Sequence, residues 1–152
     1  MWFEILASQD LTADQQTFVA EQNQSLGWTL KASQADFTLS YSYYACLVSQ
    51  AGVSEFIAYI AYHHLFEDIT INQVWVAPEC RGQGIGSRLL QDWLASLPST
   101  SRVTLEVRQG NQAARALYTK YNFKVIDQRP AYYHDPREDA IIMQWCISEG
   151  IF

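Results

Sequence analysis

Between Ile69 and Tyr121 the chain reads as a strand, a glycine-rich turn, an amphipathic helix, a return strand and a second helix, and this order leaves few folds open. The turn is Arg81-Gly-Gln-Gly-Ile-Gly86, reached from the strand through Ala77-Pro78-Glu79-Cys80. From Ile85 the apolar residues Ile85, Leu89, Leu90, Trp93, Leu94 and Leu97 recur at the spacing of one helical face, and Pro98 stops the helix. Gly82, Gly84 and Gly86 lie just before that helix and in its first turn, where they keep side chains away from its unpaired N–H groups. Donors and the positive end of the helix dipole point the same way there, so an anion is attracted. Arg81 and Arg88 add positive charge on the approach. The expectation is a cradle for the diphosphate of a nucleotide cofactor, built from Gly82, Gln83, Gly84, Ile85, Gly86 and Ser87.

The strands on either side of this helix carry their own signals. In the first, Ile69 and Ile71 occupy odd positions and Val74 and Val76 even ones, the change of parity that a β-bulge produces. In the second, Val103, Leu105 and Val107 alternate with Thr104, Glu106 and Arg108, giving one polar face with a carboxylate on it. Glu106 is the candidate catalytic base.

The rest of the chain reads as ordinary globular sequence. Its 152 residues suffice for one domain, and 49% hydrophobic with 17% charged residues excludes a disordered chain. No apolar run approaches the ~20 residues that span a bilayer, and the start Met1-Trp-Phe-Glu lacks the basic end of a signal peptide, so neither a membrane nor secretion is expected. Cys46, Cys80 and Cys146 show neither metal nor disulfide spacing, which predicts reduced thiols in a cytoplasmic protein. A formal charge of −6 argues against nucleic acid as a partner and suits a cationic substrate such as an amine. The neighbouring His63 and His64 point to opposite faces of a strand and cannot readily share a metal, so no metal site is expected.

In chain order, Trp2 to Ala7 predicts a strand, and Asp10 or Thr12 caps a helix running to about Gln24 with Phe18 and Val19 inward. A short helix is expected over Ala32 to Leu39. Strands follow over Tyr43 to Gln50 and Glu55 to His64, joined by the turn residues Ala51 to Ser54, and then over Asp68 to Ala77. Asn111 caps the second helix of the central stretch. The chain closes with strands over Val125 to Gln128 and Glu138 to Ile147, separated by a loop from Arg129 to Pro136. The order β-α-α-β-β-β-α-β-α-β-β describes an α+β domain with a mixed, mostly antiparallel sheet.

The glycine turn admits several readings. A flexible turn with tolerated glycines is the least favoured, given three at alternate positions. A dinucleotide fingerprint, G-x-G-x-x-G, fails because position 87 is Ser, although Glu106 lies near the spacing of that motif's ribose-binding acid. A kinase-type phosphate loop fails because no Gly-Lys-Ser/Thr follows. The pattern Arg/Gln-x-x-Gly-x-Gly/Ala matches at every specified position in Arg81 to Gly86. With Leu105-Glu-Val-Arg108, Asn111-x-x-Ala-x-x-Leu-Tyr118, Tyr121-x-Phe123 and Arg137-Glu-Asp-Ala-Ile-Ile-Met143 beside it, the chain resembles the GNAT acetyltransferases. Within them it is similar to the RimI type, the ribosomal-protein-alanine N-acetyltransferases. The resemblance covers Val53 to Trp145, while Met1 to Ser42 resembles nothing in particular. A departure is Ala77-Pro78, where the family more often has Asp-Pro.

That resemblance implies a GNAT fold over residues 1–152 as a single domain, with a bulged, splayed strand at the cofactor site, and acetyl-CoA as co-substrate without a metal. It places pantetheine against the backbone of Val74, Trp75 and Val76, the phosphates on Arg81 to Ser87, and the family's cofactor asparagine on Asn111. It gives Glu106 the role of general base, acting through a water on an α-amine, and Tyr118 that of general acid for the departing thiolate. An α-amine with pKa about 8 is roughly one-tenth neutral at pH 7, so a modest base with its pKa lifted by burial suffices. The thioester carbonyl would be polarised by a backbone N–H, that of Val76. The implied acceptor is the N-terminus of a ribosomal protein, and the implied state a monomer or weak dimer. A small-molecule amine acetyltransferase, acting on a polyamine or aminoglycoside, is the alternative, and a binding module without turnover is a third reading. Three assignments stay open between chemistry and packing: Tyr118 as acid or core residue, Tyr132 and Tyr133 as peptide grip or turn residues, and Trp28 as acceptor-site or core residue.

Overall fold

A computed structural model describes residues 1–49 and 55–147. The chain runs β1 (Trp2–Ala7), α1 (Ala13–Ser25), α2 (Leu30–Phe37), β2 (Ser42–Ser49), β3 (Glu55–Leu65), β4 (Asp68–Val76), α3 (Ile85–Ser96), β5 (Arg102–Arg108), α4 (Gln112–Lys120), β6 (Lys124–Tyr133) and β7 (Glu138–Cys146). The hydrogen-bonded strand order is β1-β2-β3-β4-β5-β7-β6. The pairs β1/β2, β2/β3, β5/β7 and β6/β7 are antiparallel and β4/β5 is parallel, so the expected mixed, mostly antiparallel sheet is present. The expected turn Ala51 to Ser54 lies outside the described residues.

Local chemistry accounts for the helix starts. Thr12 caps α1 in a capping box: its Oγ1 accepts from the Gln15 N–H at 3.1 Å, and the Thr12 N–H donates to Gln15 Oε1 at 2.9 Å. Thr29 Oγ1 accepts from the Ala32 N–H at 3.0 Å, which starts α2 at Leu30, two residues ahead of the expected Ala32. One strand boundary also moves. The expected loop over Arg129 to Pro136 is mostly strand, because β6 continues through Pro130 to Tyr133. Proline is tolerated there because β6 is an outer strand, and the irregular register between Arg129 and Tyr133, with Ala131 at φ 51°, absorbs the disruption.

The chain divides into two compact units. One comprises Met1–His64 with Asn72–Ser96, the other Leu65–Ile71 with the residues from Leu97 onward. In the first, Val19 and Ala20 of α1, Phe37 of α2 and Tyr44, Cys46, Tyr59, Ala61 and Trp75 of the strands form one apolar cluster. Each large side chain buried there contributes about 1.5–3 kcal/mol relative to exposure. A polar chain runs beside it: Asp36 accepts from Ser42 Oγ at 2.7 Å and lies 2.6 Å from His63 Nε2, while Ser42 Oγ and Ser8 Oγ are 2.7 Å apart. In the second unit, antiparallel register sets Val103 opposite Trp145, Leu105 opposite Met143 and Val107 opposite Ile141, one continuous apolar face. Tyr118 and Phe123 are buried as well, Phe123 stacking on Trp145 at 6.5 Å. The alternate register positions carry Thr104, Glu106 and Arg108 on the opposite face.

Candidate active site

β4 contributes the first part of the site. Its parallel ladder with β5 consists of three pairs, Asp68↔Arg102, Ile69↔Val103 and Thr70↔Thr104, whereas the strand itself runs on to Val76. Val74 and Val76 are half-buried and Trp75 is buried, its ring stacked on Tyr59 at 5.4 Å and edge-on to Phe18 at 5.4 Å. Ile69 and Ile71, also odd-numbered and also buried, stand outside the cluster that Trp75 joins. The side chains of β4 therefore change environment between Ile71 and Trp75, where the sequence pattern places a bulge.

The glycine turn follows. Arg81–Gly84 form the turn and Ile85 begins α3. Gly82 and Gly84 have φ of +76° and +77°, a conformation that costs any residue with a Cβ, and open space surrounds the position a Cβ would take at each. Arg81 Nε–H donates to the Val76 carbonyl at 3.0 Å, tying the turn to the end of β4. Backbone N–H groups without intrahelical partners, positive-φ glycines and free space above them suit a diphosphate. These residues fit the phosphate part of coenzyme A.

The second unit carries Glu106, Asn111, Tyr118, Tyr132 and Tyr133. Glu106 projects from β5, and its Oε1 lies 3.4 Å from Arg129 Nη1 of β6. Its side chain is 36% exposed, so the burial expected to raise its basicity is not found; it stands on the polar face of its strand. The cation beside its carboxylate is Arg129 of β6, and Arg108 of its own strand is engaged elsewhere. The Arg108 guanidinium lies 4.4 Å over the Tyr133 ring and 3.3 Å from Glu138 Oε1, and Glu138 also accepts from the Gly110 N–H at 2.6 Å. Tyr133 and Tyr132 meet edge-on at 5.2 Å, and Arg129 sits 5.7 Å over the Tyr132 ring. Burial first, and the negative charge of Glu106 second, push the Tyr133 phenol up from its usual range, with Arg108 acting the other way. Glu106, Arg108, Arg129, Tyr132 and Tyr133 thus form one charged and aromatic cluster.

Tyr118 lies in α4, buried against Phe123 with ring centroids 5.4 Å apart, and has no hydrogen bond to Glu106 among the described residues. Burial pushes its phenol up to about 12, so it holds its proton throughout the neutral range. Asn111 Oδ1 is taken by the helix cap, accepting from the Ala114 N–H at 3.2 Å, and Nδ2 takes no part in that bond. Sequence reasoning missed Arg129 and Glu138. The proline beside Arg129 made its segment read as a loop, and only the register of β6 against β7 brings it toward Glu106. Among the described residues no cluster of metal-ligating side chains occurs, and no helix is long and apolar enough to cross a membrane.

The family model described as "Acetyltransferase (GNAT) family" matches residues 4–123. The chain belongs to the GNAT acetyltransferase family. The match begins at residue 4, so the family pattern reaches into the N-terminal segment that had resembled nothing in particular. Among relatives, the putative ribosomal protein bS18-alanine N-acetyltransferase of Bacillus subtilis is 36% identical over 87 residues, 56% of this chain and 58% of that protein. The ribosomal protein bS18-alanine N-acetyltransferase of Escherichia coli K12 is 39% identical over 88 residues, 55% of this chain and 60% of that protein. These matches thus span less than two-thirds of the length of either relative. In structure, the crystallised ribosomal-protein-S18-alanine N-acetyltransferase of Escherichia coli superposes with a TM-score of 0.80 at 27% identity, covering 96% of this chain and 94% of that one. Arabidopsis thaliana NAA60 bound to acetyl-CoA shares the GNAT fold, with a TM-score of 0.75 at 14% identity, covering 97% of this chain and 99% of that one.

Proposed function

We propose that this GNAT protein transfers the acetyl group of acetyl-CoA to the N-terminal α-amine of a protein, a ribosomal protein being its natural acceptor. The observation that carries the reading is the turn Arg81–Gly84, whose positive-φ glycines stand under open space at the head of α3. The relatives that act on a ribosomal protein alanine supply the acceptor class. The chain works as one domain in the cytoplasm, as a monomer or weak dimer, without metal or nucleic acid.

In this reading the backbone of Val74, Trp75 and Val76 pairs with the pantetheine arm, Arg81 to Ser87 hold the diphosphate, and Asn111 meets the cofactor through Nδ2. Asn72 Nδ2, buried on β4 without a partner among the described residues, is a further donor for a ligand carbonyl. Acetyl-CoA, when bound, supplies a thioester reactive toward a neutral amine. Glu106 takes the proton of the α-amine through a water, and its exposure leaves it room to do so. Tyr118 returns a proton to the leaving thiolate, a task that suits a phenol kept protonated by burial. The Val76 N–H polarises the thioester carbonyl. Tyr132 and Tyr133 grip the acceptor backbone beside Glu106.

The test is a panel of acceptors at fixed acetyl-CoA: peptides with a free N-terminal alanine, the same peptides N-blocked, spermidine and an aminoglycoside. Acetylation confined to free peptide N-termini is the expected result. Turnover of the small amines with none of the peptides would replace this reading with a small-molecule acetyltransferase.

A further inference from the structure

The first unit contains a groove of about 460 Å³ that the proposed chemistry does not use, apart from the buried Trp75 side chain on its floor. Its walls come from separate elements. Asp14, Phe18 and Gln22 lie at i, i+4 and i+8 on one face of α1, Glu55 and Phe56 open β3, and Pro78 and Glu79 follow β4. Phe18 stands edge-on to Trp75 at 5.4 Å and to Phe56 at 6.2 Å, giving an aromatic floor. The rim carries the carboxylates of Asp14, Glu55 and Glu79, and among the described residues no Lys, Arg or His lines it. Among the described residues none of these carboxylates has an ion-pair partner.

We propose that this groove is a docking site for an arginine-bearing segment of a basic polypeptide. Three carboxylates around an apolar floor are complementary to a cation with an apolar stem. Arginine meets both demands: its methylene stem packs on rings, and its flat, weakly hydrated guanidinium stacks on aromatic surfaces while binding carboxylates through several N–H groups. A compact ammonium, strongly hydrated, gains less from the aromatic floor. The groove thereby supplies a contact for a basic partner that does not depend on which amine is acetylated.

The experiment measures binding of an N-acetylated hexa-arginine peptide by fluorescence anisotropy at low salt; its blocked terminus removes any role as acetyl acceptor. The variant Asp14→Asn/Glu55→Gln/Glu79→Gln is expected to lose about tenfold or more in affinity. The control Glu4→Gln/Glu67→Gln/Asp127→Asn removes the same formal charge elsewhere and is expected to bind within twofold of wild type. Phe18→Leu, which keeps every carboxylate, is expected to weaken the peptide while leaving a hexa-lysine analogue unchanged. Equal loss in the groove and control variants, or no loss in the groove variant, overturns the proposal. Tighter binding of spermidine than of the peptide through the same three carboxylates overturns the polypeptide as occupant.

Discussion

Arg129 Nη1 lies 3.4 Å from Glu106 Oε1, across the intervening strand β7, so the proposed base faces a guanidinium rather than an apolar wall. Replacing Glu106 with Gln keeps the shape and removes the proton acceptor. Turnover with an alanine-terminated peptide is expected to fall about 10²-fold or more, with acetyl-CoA affinity near normal. Steady-state kinetics with calorimetric titration of the cofactor check this, and unchanged turnover removes Glu106 from the mechanism.

Gly84 has φ of +77° with free space around it, so a side chain there is opposed by backbone strain rather than by collision. Gly84→Val is expected to cost about 1–3 kcal/mol locally and to reshape the turn. The KM for acetyl-CoA should rise at least about tenfold, because the N–H groups proposed to hold the diphosphate shift with the backbone. Dependence of the initial rate on acetyl-CoA concentration decides it.

Tyr118→Phe removes one oxygen and keeps the ring that packs on Phe123. If the phenol is the acid, kcat drops by about 10- to 100-fold while the melting temperature moves little. A full-rate variant would leave Tyr118 as a packing residue only.

Burial raises the pKa of Tyr44, Tyr59 and Tyr62 as well as Tyr118, and of the Cys46 thiol. In the unfolded chain these groups ionise near their ordinary values, about 10 for tyrosine and about 8.5 for cysteine. Their folded values lie above the unfolded ones, so the unfolded state loses protons first as pH rises. Stability is then intact below about pH 8.5 and declines from there through the alkaline range. Urea unfolding at a series of pH values, with tyrosinate absorbance as a second probe, should show the loss of stability preceding full tyrosine ionisation.

Asp36 accepts from Ser42 Oγ and bonds His63 Nε2, and it sits on an eight-residue helix too short to persist alone. Asp36→Ala is expected to lower the unfolding free energy by about 2–4 kcal/mol, since it leaves buried Ser42 without one of its partners and His63 without its carboxylate. Denaturant melts report it directly, and a change under about 0.5 kcal/mol would show that packing alone holds α2.

Much of this was legible before any coordinates. The 3.6 periodicity of Ile85 to Leu97 and the alternation of Val103 to Arg108 are local signals, and both elements appear where the pattern puts them. Arg129 was not legible, because what brings it to Glu106 is the pairing of β6 with β7 and not any spacing in the chain. The polar chain of Ser8, Asp36, Ser42 and His63 escaped for the same reason: its members come from α2, β2, β3 and the turn after β1, and nothing in their neighbourhoods marks them as partners. Burial of Glu106 was expected from its chemistry, and the strand alternation already argued against it.

Trp75 shows what anchors the far end of β4. Its indole is wedged between Tyr59 and Phe18, so the residue is clamped by its own ring at a point past the last β5 rung. The stretch of chain proposed to bond the guest molecule would otherwise sway. Shrinking that indole would slacken the main chain without touching a single donor or acceptor, and enzyme variants altered only in their hydrophobic interior could lose grip on acetyl-CoA.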